Sequence, residues 1–120
     1  MSRHSGRVLV AVLDVDFSST NINNSTYTQI GLKDPLGNSI NTLPADIVRM
    51  DITNTASDGV LIAVGGAVGG SGTWNAACQI GQAVPTQESY AFLNKLQAVA
   101  LKSIFTATLS AGKIYIAFYN

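Results

Sequence analysis

Few residues in this chain of 120 have the types and spacing that chemistry requires. Asp14 and Asp16 stand two apart in VLDVDF, so on an extended strand both carboxylates leave the same face. That is half of a cation site. No third carboxylate or histidine at a useful spacing completes it, and a solvated strand edge is the favoured reading. The single histidine, His4, lies in the terminal stretch MSRHSG with no partner for a dyad. The single cysteine, Cys78, rules out an internal disulfide and a zinc site made of cysteines. It reads as a small buried apolar residue rather than a reactive thiol. Residues Gly65 to Gly72 (GGAVGGSG) hold five glycines in eight positions. They lack both the Gly-Lys-Ser/Thr that ends a P-loop and the G-x-G-x-x-G of a dinucleotide turn, so a mobile surface loop is expected. Trp74, just beyond, fits an exposed platform or interface anchor as well as a plug closing one end of a core. With no nucleophile–base set, no paired carboxylates and no complete metal cluster, the expectation is a non-enzyme without cofactor or metal.

Composition points the same way. Seven Lys plus Arg balance seven Asp plus Glu, and charged residues are only 12 % of the chain. That is about half the usual ~25 % share. Zero net charge argues against a nucleic-acid binder, which needs a basic surplus to neutralise phosphates. A polar but weakly charged surface is a solubility liability for a free monomer, and is easier to reconcile with a surface covered by other subunits. The apolar run Val8 to Leu13 follows Arg3 and Arg7, but it is short, is interrupted by Asp14 and lacks a cleavage site. No stretch approaches the ~20 apolar residues of a membrane span. The chain therefore reads as soluble, made in the cytoplasm, with no membrane partner. On the same ground the sequons at Asn23 and Asn24 carry no weight.

The elements that must position these residues read as strands. Residues 1–7 form an arm and 8–120 one domain. Arg7 to Phe17 is the first strand, apolar on both faces early and wet on one face at Asp14 and Asp16. Ser18 to Ser25 reads as a polar loop, Tyr27 to Leu32 as a short strand, Lys33 to Asn38 as a turn, and Ser39 to Leu43 as a brief edge strand. Asp46 to Asn54 is the clearest central strand, with Val48, Met50 and Ile52 inward and Arg49, Asp51 and Thr53 outward. Thr55 to Gly59, ending in Asp-Gly, reads as a hairpin turn leading into Val60 to Val64. Ala83 to Glu88 reads as a bend in which a strand begins only after Pro85, and Ser89 to Leu93 as the next strand. Lys95 to Leu101 fits a helical turn or a strand, the strand being favoured. Ser103 to Tyr119 reads as a β-hairpin, with Phe105, Ala107 and Leu109 on one face. It turns at Ser110 to Lys113 with Gly112 supplying a positive φ. Its second strand puts Ile114, Ile116 and Phe118 opposite Tyr115, Ala117 and Tyr119, and it is apolar enough to need neighbours on both sides. About eight short strands with turn signals between them predict an all-β chain: a single antiparallel β-sandwich, jelly-roll-like.

Ile52, Asn54, Val60, Ile62 and Gly65, then Val84, Pro85, Ser89 and Phe92, and last Tyr115, Ile116, Phe118 and Tyr119 form a pattern over residues 46–120. In this pattern the chain resembles a class of small tailed-phage structural proteins. The likeness implies a virion component, first of all a capsid decoration (cement) protein of the head shell. The partners it implies are the major capsid protein, other virion proteins and further copies of the chain, with a trimer favoured. Candidate interface residues are Arg3 and Arg7 in the arm, Val68 in the glycine-rich stretch, Trp74, and Tyr115 and Tyr119 on the last strand. Two other readings stay open. One is a head–tail connector or tail subunit. The other is a carbohydrate-binding β-sandwich module using Trp74 and Tyr27 as stacking platforms.

Overall fold

The computed structural model describes residues 8–44, 47–56, 58–64, 76–80, 85–88, 99–105 and 108–120. Among them are twelve strands: β1 (Leu9–Asp16), β2 (Ile22–Asn23), β3 (Thr28–Ile30), β4 (Leu32–Lys33), β5 (Ser39–Ile40), β6 (Arg49–Asn54), β7 (Val60–Val64), β8 (Ala76–Ile80), β9 (Pro85–Glu88), β10 (Val99–Ser103), β11 (Thr108–Leu109) and β12 (Lys113–Tyr119). Four of these, β2, β4, β5 and β11, are two residues long, which leaves eight longer strands among the described residues; β8 among them has no counterpart in the sequence reading. The described residues include no helix.

The strands form a six-stranded sheet, β5-β4-β1-β12-β6-β9, a four-stranded sheet, β3-β10-β7-β8, and a ribbon, β11-β2. Every strand pair is antiparallel. Numbering only the eight longer strands in chain order gives 1-8-3-6 in one sheet and 2-7-4-5 in the other. Two interleaved Greek keys of this kind make a jelly roll, and the expected fold class holds.

Alternation explains which side faces in. Across β1, β12 and β6 the register aligns Ala11–Phe118–Met50, Leu13–Ile116–Ile52 and Val15–Ile114–Asn54. All nine are buried. The opposing sheet contributes Val60, Ile62, Val99 and Leu101, so one continuous core lies between the sheets. Phe17, with Ile22 and Leu109 paired in the ribbon, extends that core at one end.

The connections depart from the sequence reading. Ser103 to Tyr119 is not a hairpin: β11 pairs with β2, whereas β12 lies between β1 and β6. The expected neighbours on both sides of the last strand are therefore present, but they come from residues far away in the chain. Leu109 is buried and Phe105 is exposed, so they do not share an inward face, and Ala107 lies outside the described residues. Thr55 to Gly59 does not close a hairpin either. It carries the chain from β6 in one sheet to β7 in the other. Tyr27 to Leu32 divides at Gly31 into β3 and β4, which belong to different sheets. The polar loop 18–25 contains β2, whose Ile22 is fully buried. Val48 is exposed, because β6 begins only at Arg49, while Ile47 is buried in its place; Asp46 lies outside the described residues. Pro85 opens β9 where a bend was expected, and β9 is an edge strand, a position that tolerates a missing amide proton. The expected strand 89–93 and residues 95–98 lie outside the described residues.

Candidate interaction surface

The outward residues of the central strands follow from the same alternation. Asp14, Tyr115 and Thr53 form one row, Val12, Ala117 and Asp51 the next, and Asp16 lies opposite Lys113. Lys33 joins the Val12 row from β4, and Tyr119 is opposite both Leu9 and Arg49. Tyr115 is 41 % exposed. Ala117, between the two tyrosines on β12, is buried and forms a low floor.

Tyr119 is less free than Tyr115. The Arg49 guanidinium lies over its ring, 4.5 Å from the centroid, a favourable cation–π distance. Arg49 Nε is 3.2 Å from Asp51 Oδ1, and both atoms are shielded from solvent. Neither reaches hydrogen-bond geometry with any group, so the contact is charge against charge. Sequence reading singles out Tyr119 but not Arg49 or Asp51. Their alternation on β6, one strand away from Tyr119, is the signal that could have found them.

Asp14 and Asp16 do share the outward face, but Asp16 is committed locally. Its Oδ1 accepts hydrogen bonds from Ser18 N–H at 2.9 Å and Ser18 Oγ at 2.7 Å. The Ser18 hydroxyl first, then the Ser18 amide, hold this carboxyl below its ordinary value. Among the described residues no three of His, Cys, Asp and Glu come together.

A second carboxylate organises the β4–β5 turn. Asp34 Oδ1 accepts from Asn38 N–H at 2.8 Å and from Leu36 N–H at 3.0 Å, and Oδ2 accepts from Asn38 Nδ2 at 3.1 Å. The Asn38 amide is the main reason its pKa lies below the ordinary value. Gly37 takes φ 93°, and Leu36 stands at the tip, 88 % exposed.

At one end of the sandwich three segments converge on Gly112. Its carbonyl accepts from Phe17 N–H at 2.9 Å, and the next residue, Lys113, exchanges bonds with Thr55: Thr55 N–H to Lys113 O at 2.8 Å and Lys113 N–H to Thr55 Oγ1 at 2.9 Å. Asn54, fully buried, secures the crossing into β7: its Oδ1 accepts from Ala56 N–H at 2.9 Å and its Nδ2 donates to Asp58 O at 3.4 Å.

At the opposite end lie the start of β1 and the end of β12, where Asn120 N–H donates to Val8 O at 2.9 Å. β7 ends and β8 begins at this end as well. Val8 and Val48, 52 % and 37 % exposed, flank the end of β12 here. Arg3, Arg7, Val68 and Trp74 lie outside the described residues. So does the side chain of Cys78, although its backbone is opposite Ile62. Tyr27 packs against Ala100 with the Lys102 ammonium 5.5 Å from its ring centroid, and burial raises its pKa.

No family model matches the chain, and no curated protein matches it. Among solved structures the chain is similar to one described as "Crystal structure of PirA", at 18 % identity and a TM-score of 0.40, over 89 % of this chain and 92 % of that one. At that distance the likeness carries no weight.

Proposed function

We propose that the chain is a non-enzymatic structural component of a phage virion, a decoration protein that binds the head shell and stabilises it as a set of associated copies. The fold alone cannot decide this, since jelly rolls serve many purposes. The observation that carries the reading is the polarity of the sandwich. The start of β1, the ends of β7 and β12, the start of β8 and the exposed Val8 and Val48 all belong to one end. A subunit that meets a shell with this end leaves its sheet faces for neighbouring copies. Gly65, Val84, Ser89 and Phe92 of the phage resemblance lie outside the described residues; most of the others suit a scaffold role. Ile52, Val60, Ile62, Ile116 and Phe118 fill the core, Asn54 holds a crossing, and Tyr115 and Tyr119 look outward.

The test is co-sedimentation of the purified chain with head shells assembled from the major capsid protein of the same phage genome. Binding that saturates at a fixed ratio of chain to capsid subunit, and raises the shell's melting temperature, is expected. A chain that stays in the supernatant and is a compact monomer by light scattering would end the proposal. Closed rings of six or more in electron micrographs would replace it with the connector or tail reading.

A further inference from the structure

We infer that two copies of the chain pack face to face through the outward side of β1 and β12, about a two-fold axis that runs along the seam between those strands. The inference rests on the proposed role as an associating virion subunit and adds the surface by which copies meet. Such an axis exchanges β1 with β12. Each outward residue of β1 then faces, in the second copy, the residue it already pairs with in its own sheet. The register makes every row complementary under that exchange. Asp16 meets Lys113 of the second copy, Asp14 meets the Tyr115 hydroxyl, Val12 meets Ala117, and Leu9 meets the Tyr119 ring.

The occupant is another copy because of the charge on this face. Its outward rows carry Asp14, Asp16 and Asp51 against Lys33, Lys113 and Arg49, acids and bases in equal number. A partner of one sign would be repelled by half of them, whereas a two-fold contact lays the face against itself and needs both signs. Small residues sit at the middle of the patch and polar ones at its rim. Val12 is half-buried and Ala117 buried, so two sheets can approach to the ~10 Å of stacked sheets with Tyr115 filling the trough above Ala117. A sugar chain is the weaker occupant, because the ring of Tyr119 is already engaged by Arg49.

Light scattering over a concentration series tests this on the full chain. The expected mass is twice 12.6 kDa. Tyr115→Asp and Lys113→Asp, both at exposed positions, should each halve it while the chain still melts cooperatively, at a temperature lowered only by the lost association. If one of them fails to fold, the other carries the test. Geometry is read separately in a Cys78→Ser background. Asp14→Cys and Tyr115→Cys proteins, mixed and treated with a short bis-maleimide, should give a cross-linked dimer well above that of either protein alone. A wild-type chain that stays at 12.6 kDa at every concentration overturns the inference, and so does a dimer or trimer that both charge variants leave intact. Shell binding by a monomeric wild type would sink this contact and spare the decoration role. A dimer that never sediments with shells would do the reverse.

Discussion

Gly112 is pressed against Ala56. A Cβ on Gly112 would lie 2.5 Å from Ala56 Cα, 2.8 Å from Ala56 N and 2.9 Å from Thr55 O, all of them backbone atoms. Its φ of 94° is a conformation that side chains resist. Gly112→Ala therefore combines a clash with backbone strain of roughly 1–3 kcal/mol. Gly37 has nearly the same φ and nothing within 4 Å of its built Cβ, so Gly37→Ala carries the strain alone. Urea denaturation should rank the two variants in that order, with Gly112→Ala losing at least ~2 kcal/mol more than Gly37→Ala. Equal losses would mean that the approach to Ala56 is not tight.

The crossing from β6 to β7 depends on one amide side chain. Asn54→Leu fits the apolar surroundings but removes the acceptor for the buried Ala56 N–H. Stranding that donor costs about 1–3 kcal/mol. Because the Ala56 backbone abuts Gly112, the loss should also appear as faster hydrogen exchange in Gly112 and Lys113. A variant as stable as the wild type would show that the turn closes without Asn54.

Two phenylalanines thirteen residues apart should behave oppositely. Phe118 is fully buried on the central strand, and Phe105 is 57 % exposed. Phe118→Ala should cost about 3–5 kcal/mol from lost burial and the cavity left behind. Phe105→Ala should change stability by no more than ~0.5 kcal/mol in the isolated protein. Thermal melts of both variants settle this.

Acid should loosen the β4–β5 turn late. The loop amides bind the ionised form of Asp34, so its folded-state pKa lies below the ordinary 3.8. The turn's stabilisation is complete above that ordinary value and disappears as pH falls through the lowered folded-state value. The Asn38 amide resonance should hold steady down through the usual aspartate range and move only below it. Asp34→Asn keeps an acceptor and loses the titration, so its Asn38 resonance should stay flat. A midpoint at or above 3.8 in the wild type would contradict the hydrogen bonding described.

The sequence made the faces of strands legible but not their partners. Ile114, Ile116 and Phe118 alternate with Tyr115, Ala117 and Tyr119, and period two alone identifies the inward set. Register with β1 and β6 was hidden because it depends on residues 60 to 110 positions away in the chain. Asp58-Gly59 and Ser110 to Lys113 carry good hairpin chemistry, but a local turn signal does not say whether the returning strand stays in the same sheet. Val48 misleads because the alternation assumes an extended strand from Asp46, whereas β6 begins only at Arg49 and Ile47 is buried in its place. At the candidate surface Tyr115 was recognisable as an outward aromatic, and alternation on β6 marks Arg49 and Asp51 as outward, but that Arg49 lies over Tyr119 depends on the pairing of β6 with β12.

The placement of β12 bears on how the chain matures. It is the last of the twelve strands to be synthesised, yet it joins β1, the first, to β6. Until residue 119 clears the ribosome, both of those strands have an open apolar edge, a state prone to misassociation. Closure of this sheet therefore waits for residues 113–119 and, dominated by distant pairings, is slow for a domain of this size. A nascent chain stalled before Lys113 should be protease-sensitive throughout its length rather than half folded.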